Sequence, residues 1–188
     1  MRRAARIALA LLAFAGLVVF VVAMARARVG LLGPHVAQVS LARLDAPLDA
    51  AVRFQLAAKK PLTIEEALQF SLEMTGRQLR FGLGHPTKYA FGADPRAGNC
   101  IEYSHLFVRI FEMAAAHGKI KAKAQVVHST RAEVFGYALP LPGLRDHDWV
   151  VIVDKTDKRQ WFVDPTFDDA GLGWELQTNV VGDVRVFP

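Results

Sequence analysis

The chain carries a single cysteine, Cys100, and six histidines. A thiol becomes a nucleophile only where something stabilises the thiolate and a neighbouring base accepts its proton. Cys100 meets the first condition by its position. In Asn99-Cys100-Ile101-Glu102 the asparagine stands as a helix N-cap and the glutamate at N3, a capping box that makes Cys100 the first helical residue. There the backbone N–H groups point outward and the helix dipole is positive, so negative charge on sulfur is favoured. Small buried cysteines also start helices for packing reasons alone, so the position acquires chemical meaning only with a base beside it.

Among the histidines, His147 has the surroundings for that task. It opens a run, residues 147–153, in which His147, Trp149, Val151 and Val153 alternate onto one face of a strand. His105 shares the cysteine's helix, but five residues at about 100° each turn it roughly 140° away. His117 closes that helix, where the free carbonyls account for it. His35 and His85 fall in loop-like stretches, and His128 ends a strand. An imidazole is a better base when a carboxylate holds its second nitrogen. The polar turn over residues 154–160 returns the chain as a second strand, which brings Asp164 roughly opposite His147. Asp146 and Asp148 flank the histidine but point elsewhere on an extended chain, and Asp154 is near the turn. Asp168 and Asp169 lie past the hairpin, as solvated loop acids.

The elements that must hold these groups follow from the patterning. Residues 48–58 suit a short helix. Thr63 and Glu66 form another capping box, which starts a helix over residues 64–75 with Gly76 as its stop. Residues 78–98, rich in glycine and proline, read as loop. The cysteine's helix runs over residues 100–117, and strands are expected over 120–128, 133–138, 147–153 and 160–163. Helices followed by neighbouring strands give an α+β fold with an antiparallel sheet packed on the Cys100 helix. A domain of about 160 residues buries roughly 70% of its unfolded surface, enough to stand without metal or disulfide.

Charge and hydropathy add an N-terminal expectation. Residues 7–25 hold no charged or polar side chain, and as a helix they cover about 28 Å, close to the roughly 30 Å of a bilayer's hydrocarbon core. This predicts one N-terminal transmembrane helix; a cleaved signal peptide ending at Ala25 is the alternative. Arg2, Arg3 and Arg6 on one side against Arg26 and Arg28 on the other favour a cytoplasmic N-terminus by one arginine, which places the domain outside the cytoplasm, in the periplasm, or secreted if the segment is cleaved. The expected organisation is an anchor over residues 1–28, a neck over 29–60 and a catalytic domain over 61–188. The net charge of +5 equals those five arginines, so the remainder is neutral and offers no footprint for nucleic acid. The expected partners are the lipid bilayer and an amide substrate. No phosphate-binding glycine loop, paired CxxC or HExxH is present, so neither cofactor nor metal is expected.

In order along the chain, GNCIEYSHLF, DHDWVVIV and WFVDPTF resemble the three motifs of the transglutaminase-like superfamily: a cysteine opening a helix, a histidine two residues before an aromatic, and an aspartate-proline closing the next strand. The resemblance covers roughly residues 60–170. It implies a papain-like fold and a catalytic triad of Cys100, His147 and Asp164. It further implies a cysteine-dependent hydrolase or acyltransferase working through a thioester, with peptidase or amidase activity ahead of cross-linking. The alternative is an inactive transglutaminase-like module that binds a partner at the membrane. Arylamine N-acetyltransferases share the triad, but their arginine-glycine-glycine before the cysteine is missing here. For the oxyanion, the Cys100 N–H is the natural donor, with Tyr89, His85 or Asn99 as candidate second donors. Residues 136–145 are long and apolar enough to rim a cleft.

Overall fold

The run WVVIV is apolar at every residue rather than every other one, the pattern of a strand covered on both faces. The computed structural model, which describes residues 14–19, 29–84, 86–134, 136–138 and 146–187, places it so. In chain order the elements are β1 (Val29–Leu32), β2 (His35–Gln38), β3 (Arg43–Leu44), α1 (Ala46–Ala57), α2 (Ile64–Gln78), β4 (Leu79–Phe81), β5 (Ala90–Phe91), β6 (Arg96–Gly98) and α3 (Cys100–Gly118). They continue with β7 (Ala122–Ser129), β8 (Arg131–Val134), β9 (Tyr137–Ala138), β10 (His147–Asp154), β11 (Gln160–Val163), α4 (Pro165–Asp169), β12 (Val180–Val181) and β13 (Val184–Arg185).

The main sheet has the order β11-β10-β7-β2-β13. On one face Val126, Val150 and Ile152 join α1, α2 and α3 through Leu48, Leu68, Phe107 and Phe111 in the larger core. On the other face Val127, Trp149 and Val151 pack against Leu31, Ala37 and Leu176. Leu31 belongs to a second sheet, ordered β12-β1-β8-β9, which covers that side. The architecture is therefore mixed α/β, with helices on one face of the main sheet and a smaller sheet on the other.

The expected fold class is corrected in two respects. No helix among the described residues is long and apolar enough to cross a membrane, so the expected transmembrane helix is not supported. Of residues 7–25 only 14–19 are described, as helix, and the remainder lies outside the described residues. The main sheet is also not wholly antiparallel, because β13 joins β2 in parallel.

Several local differences have plain physical reasons. Residues 29–60, expected as a neck, supply β1 to one sheet and β2 to the other. Pro47 does not break α1, because it falls in the first turn, where its missing N–H costs nothing, and Asp45 caps Leu48 N at 2.8 Å. Gly76 is not a stop. It lies inside α2, and a Cβ there would sit 3.1 Å from Asp169 Oδ1, so glycine lets α4 approach α2. The single strand expected over residues 133–138 is a hairpin in which Val134 pairs with Tyr137, with Gly136 at φ +79. Residues 78–98 hold three short strands, which pair in parallel with one another or with β3.

Candidate active site

Cys100 is held where its helix begins. Asn99 is extended, and its Oδ1 accepts the N–H groups of Ile101 at 3.1 Å and Glu102 at 3.3 Å, while Glu102 Oε2 accepts the Asn99 N–H at 3.1 Å. The cap thus serves the following two amides, and the Cys100 N–H has no acceptor among the described residues. The thiol is free and 9% exposed.

Glu102 does more than close the capping box. It is fully buried, ion-paired to Arg96, and it accepts the Lys88 N–H at 3.1 Å. Arg96 in turn donates to Lys88 O at 2.8 Å and lies over the Phe91 ring. Asn99 Nδ2 donates to Thr87 Oγ1 at 3.3 Å. The glycine- and proline-rich segment is therefore strapped to the end of the helix that Cys100 opens by a buried carboxylate. One N–H of the Asn99 amide is given to Thr87, while its oxygen serves the cap. Tyr89 sets its ring edge-on to His105, and His85 lies outside the described residues, as does most of the rim segment 136–145.

His147 opens β10 and is 8% exposed. Its Nε2 lies 2.5 Å from Asp164 Oδ2, which leaves Nδ1 for the thiol, and the Cys100 side chain is its other hydrogen-bonding and charged neighbour. Phe167 stacks on the ring, with centroids 5.2 Å apart and planes inclined at 28°. Burial works to lower the imidazole's pKa. The charge and hydrogen bond of Asp164, joined by those of Cys100, outweigh it and hold the pKa well above its ordinary value.

Asp164 is fully buried and spends both oxygens. Oδ2 faces His147, and Oδ1 caps α4 by accepting the N–H groups of Thr166 at 2.9 Å and Phe167 at 3.0 Å. Aspartate followed by proline is a helix start, N-cap then N1, and this is why the carboxylate cannot swing away from the imidazole. The hairpin register differs from expectation by two residues. Val150 pairs with Val163, so Asp164 falls beside Trp149 and reaches His147 along the diagonal. An even shift keeps both side chains on one face.

The remaining candidates separate cleanly. Asp148 is buried and pairs with His128, not His147, with Oδ1 2.6 Å from Nδ1. Asp146 stands 3.8 Å from His128 Nε2. Asp154 caps Thr156 N in the turn. Asp169, expected as a loop acid, accepts the Tyr103 hydroxyl at 2.6 Å and ties α4 to α3. His105 accepts the Leu41 N–H through Nδ1, and its burial lowers its pKa against the opposing charge of Asp148. His35 is buried between Ser129 Oγ and Val181 O. His117 stays at the exposed helix end, near Lys59 O. Among the described residues no group of acids, histidines and cysteine could hold a metal ion.

Two tests arise from this geometry. Tyr103→Phe removes only the hydroxyl that joins the helix of Cys100 to the helix capped by Asp164, and is expected to cost about 1 to 2 kcal/mol in urea denaturation. An unchanged unfolding midpoint would show that the tie contributes nothing. The second concerns pH. A group whose pKa is raised by folding stabilises fully below its unfolded value of about 6.5, and that contribution is lost as pH rises through the folded value. Thermal stability should therefore decline at alkaline pH, above about 8.5, where the unfolded thiol no longer takes up a proton while the folded chain keeps one on His147, and decline less in His147→Ala. The residual slope comes from His128, which its hydrogen bond to Asp148 shifts in the same direction.

The chain matches no protein-family model, no curated protein and no solved structure.

Proposed function

We propose that the protein is a cysteine-dependent hydrolase or acyltransferase that cleaves an amide bond through a thioester at Cys100, with peptidase or amidase chemistry ahead of cross-linking. The observation that carries this reading is the order of three side chains: a thiol at the start of a helix, an imidazole beside it, and a buried carboxylate on the imidazole's far nitrogen at 2.5 Å. The likeness of the three sequence motifs to the transglutaminase-like superfamily supports it from a separate direction.

In the proposed reaction the imidazole takes the thiol proton, and the thiolate attacks the carbonyl carbon. The carbonyl oxygen gains the charge, and the Cys100 N–H, left over by the cap, is aimed to receive it. His147 returns the proton to the leaving nitrogen as the C–N bond breaks, which releases an amine and leaves the thioester. Water or a second amine then attacks with His147 as base, and the thiol is restored. Asp164 holds the ring and offsets the imidazolium charge throughout.

p-Nitrophenyl acetate tests the reading without knowledge of the natural substrate. The expected result is a burst of p-nitrophenolate equal to the enzyme present, with an acetyl group found on Cys100 by mass spectrometry and absent from Cys100→Ala. A release of nitrophenolate that Cys100→Ala matches would contradict it. Partition of the trapped acetyl-enzyme between water and an added amine separates hydrolysis from transfer, and a peptide-library digest against the same variant then addresses the substrate.

A further inference from the structure

A second histidine-aspartate pair lies beside the first, and the mechanism above leaves it idle. In the main sheet Asp148 of β10, His128 of β7 and Val36 of β2 are directly paired across three neighbouring strands. Residues paired in this way share a face of the sheet. Their face is the one that carries α3, since Val126 and Val150, two residues along the same strands, belong to the core with Phe107 and Ile110. The row therefore runs outward from the strand that His147 opens, in steps of about 4.8 Å per strand, on the side of the helix that Cys100 opens; His147 itself alternates with Trp149 onto the other face and meets Cys100 at the strand's end.

Exposure rises along the row. Asp148 is 3% exposed, whereas Val36 and the His128 side chain are each 43% exposed. Asp148 Oδ1 holds His128 Nδ1 at 2.6 Å and so fixes the ring's orientation. Nε2 is then the open nitrogen: it makes no hydrogen bond among the described residues, and Asp146 approaches it only to 3.8 Å. A buried carboxylate that orients a half-exposed imidazole, on the strand beside the one that His147 opens and with an apolar residue on its far side, is an arrangement for holding something on this face of the sheet. The charge around it settles what kind of group. Asp146 and Asp148 already face one imidazole, so the pair carries no surplus positive charge for a carboxylate, and the acids favour the ring with a proton on both nitrogens. The ring is thus a hydrogen-bond donor for a neutral acceptor.

We propose that His128 is a substrate-binding residue whose Nε2–H donates to a backbone carbonyl of a peptide lying across the row, with an apolar side chain of that peptide resting on Val36. This rests on the reading of Cys100 and His147 as an active site, and it deepens it by naming the substrate class as an extended peptide rather than a small amide.

The test compares two thiol reagents on the full chain. Iodoacetamide is small and reports the reactivity of Cys100 itself. An epoxysuccinyl compound carrying alanine amides on both carboxyls places peptide carbonyls on either side of the thiol. In His128→Ala the ratio of the peptide reagent's inactivation rate to the iodoacetamide rate is expected to fall by about tenfold, as loss of one charged hydrogen bond implies. His128→Gln, which keeps an N–H donor at similar reach, should recover most of it. A ratio unchanged in His128→Ala overturns the proposal, as do two rates that fall together, because the histidine would then act through His147. If wild-type Cys100 reacts with iodoacetamide as an ordinary thiol, the active-site reading itself fails, and that result is distinguishable from the others.

Discussion

His147→Ala is expected to slow the alkylation of Cys100 by iodoacetamide at pH 6 by roughly 10- to 30-fold. The magnitude follows from the thiolate population and its reactivity. A thiol with an ordinary pKa of about 8.5 is only about 0.3% ionised at that pH, and a fully formed thiolate-imidazolium pair holds roughly 300 times more thiolate. A less basic thiolate is a weaker nucleophile, with a Brønsted slope of about 0.4–0.5, which returns about a tenfold part of that gain. The difference should shrink as pH rises and reverse above about pH 7.5, where a bare thiol is about a tenth ionised and its more basic thiolate is the stronger nucleophile. A variant that alkylates at the wild-type rate at pH 6 would mean that the helix terminus, not His147, sets the reactivity.

Asp164 is expected to show the largest loss of stability, because one side chain serves two structures. Asp164→Ala removes the cap of α4, worth about 1 kcal/mol, and leaves a buried imidazole without its partner, so a total of about 3 to 5 kcal/mol is expected. Asp164→Asn separates the two roles. Its carbonyl oxygen can still accept from Thr166 and Phe167, so most of the cap survives. Its amide cannot offset an imidazolium charge, and loss of the charge in such a triad costs up to about 10⁴ in turnover. Urea denaturation and the p-nitrophenyl acetate burst, measured on both variants, check this. Equal stability losses in the two would show that the cap, not the pairing, dominates; a full burst in Asp164→Asn would remove the carboxylate from the chemistry.

The contrast between those variants explains what sequence could and could not supply. Local signals were legible wherever the chemistry is short-range. The capping boxes at Thr63 and Asn99 start α2 and α3 at the expected residues, and β11 spans the expected four. The three residues singled out as a triad are neighbours in space. What failed depended on distant partners. Gly76 reads as a stop until α4 is known to pack on it. Residues 29–38 have little pattern of their own and become strands because β7 and β8 offer edges to pair with. Asp148 and His128 lie 20 residues apart, and only the register of β7 on β10 brings them together. Glu102 was visible as the closing residue of a capping box, but its burial against Arg96 was not, since a loop without periodicity gives no hint of where it returns.

The pH dependence of wild-type Cys100 alkylation is the most direct test of the central claim, that His147 and the helix terminus together make the only cysteine a nucleophile. The account predicts a second-order rate with iodoacetamide that stays nearly level from about pH 6 to pH 8 and drops only at lower pH, as the ion pair is protonated. A rate that climbs tenfold per pH unit through this range, bending only near the ordinary thiol pKa of about 8.5, would contradict it.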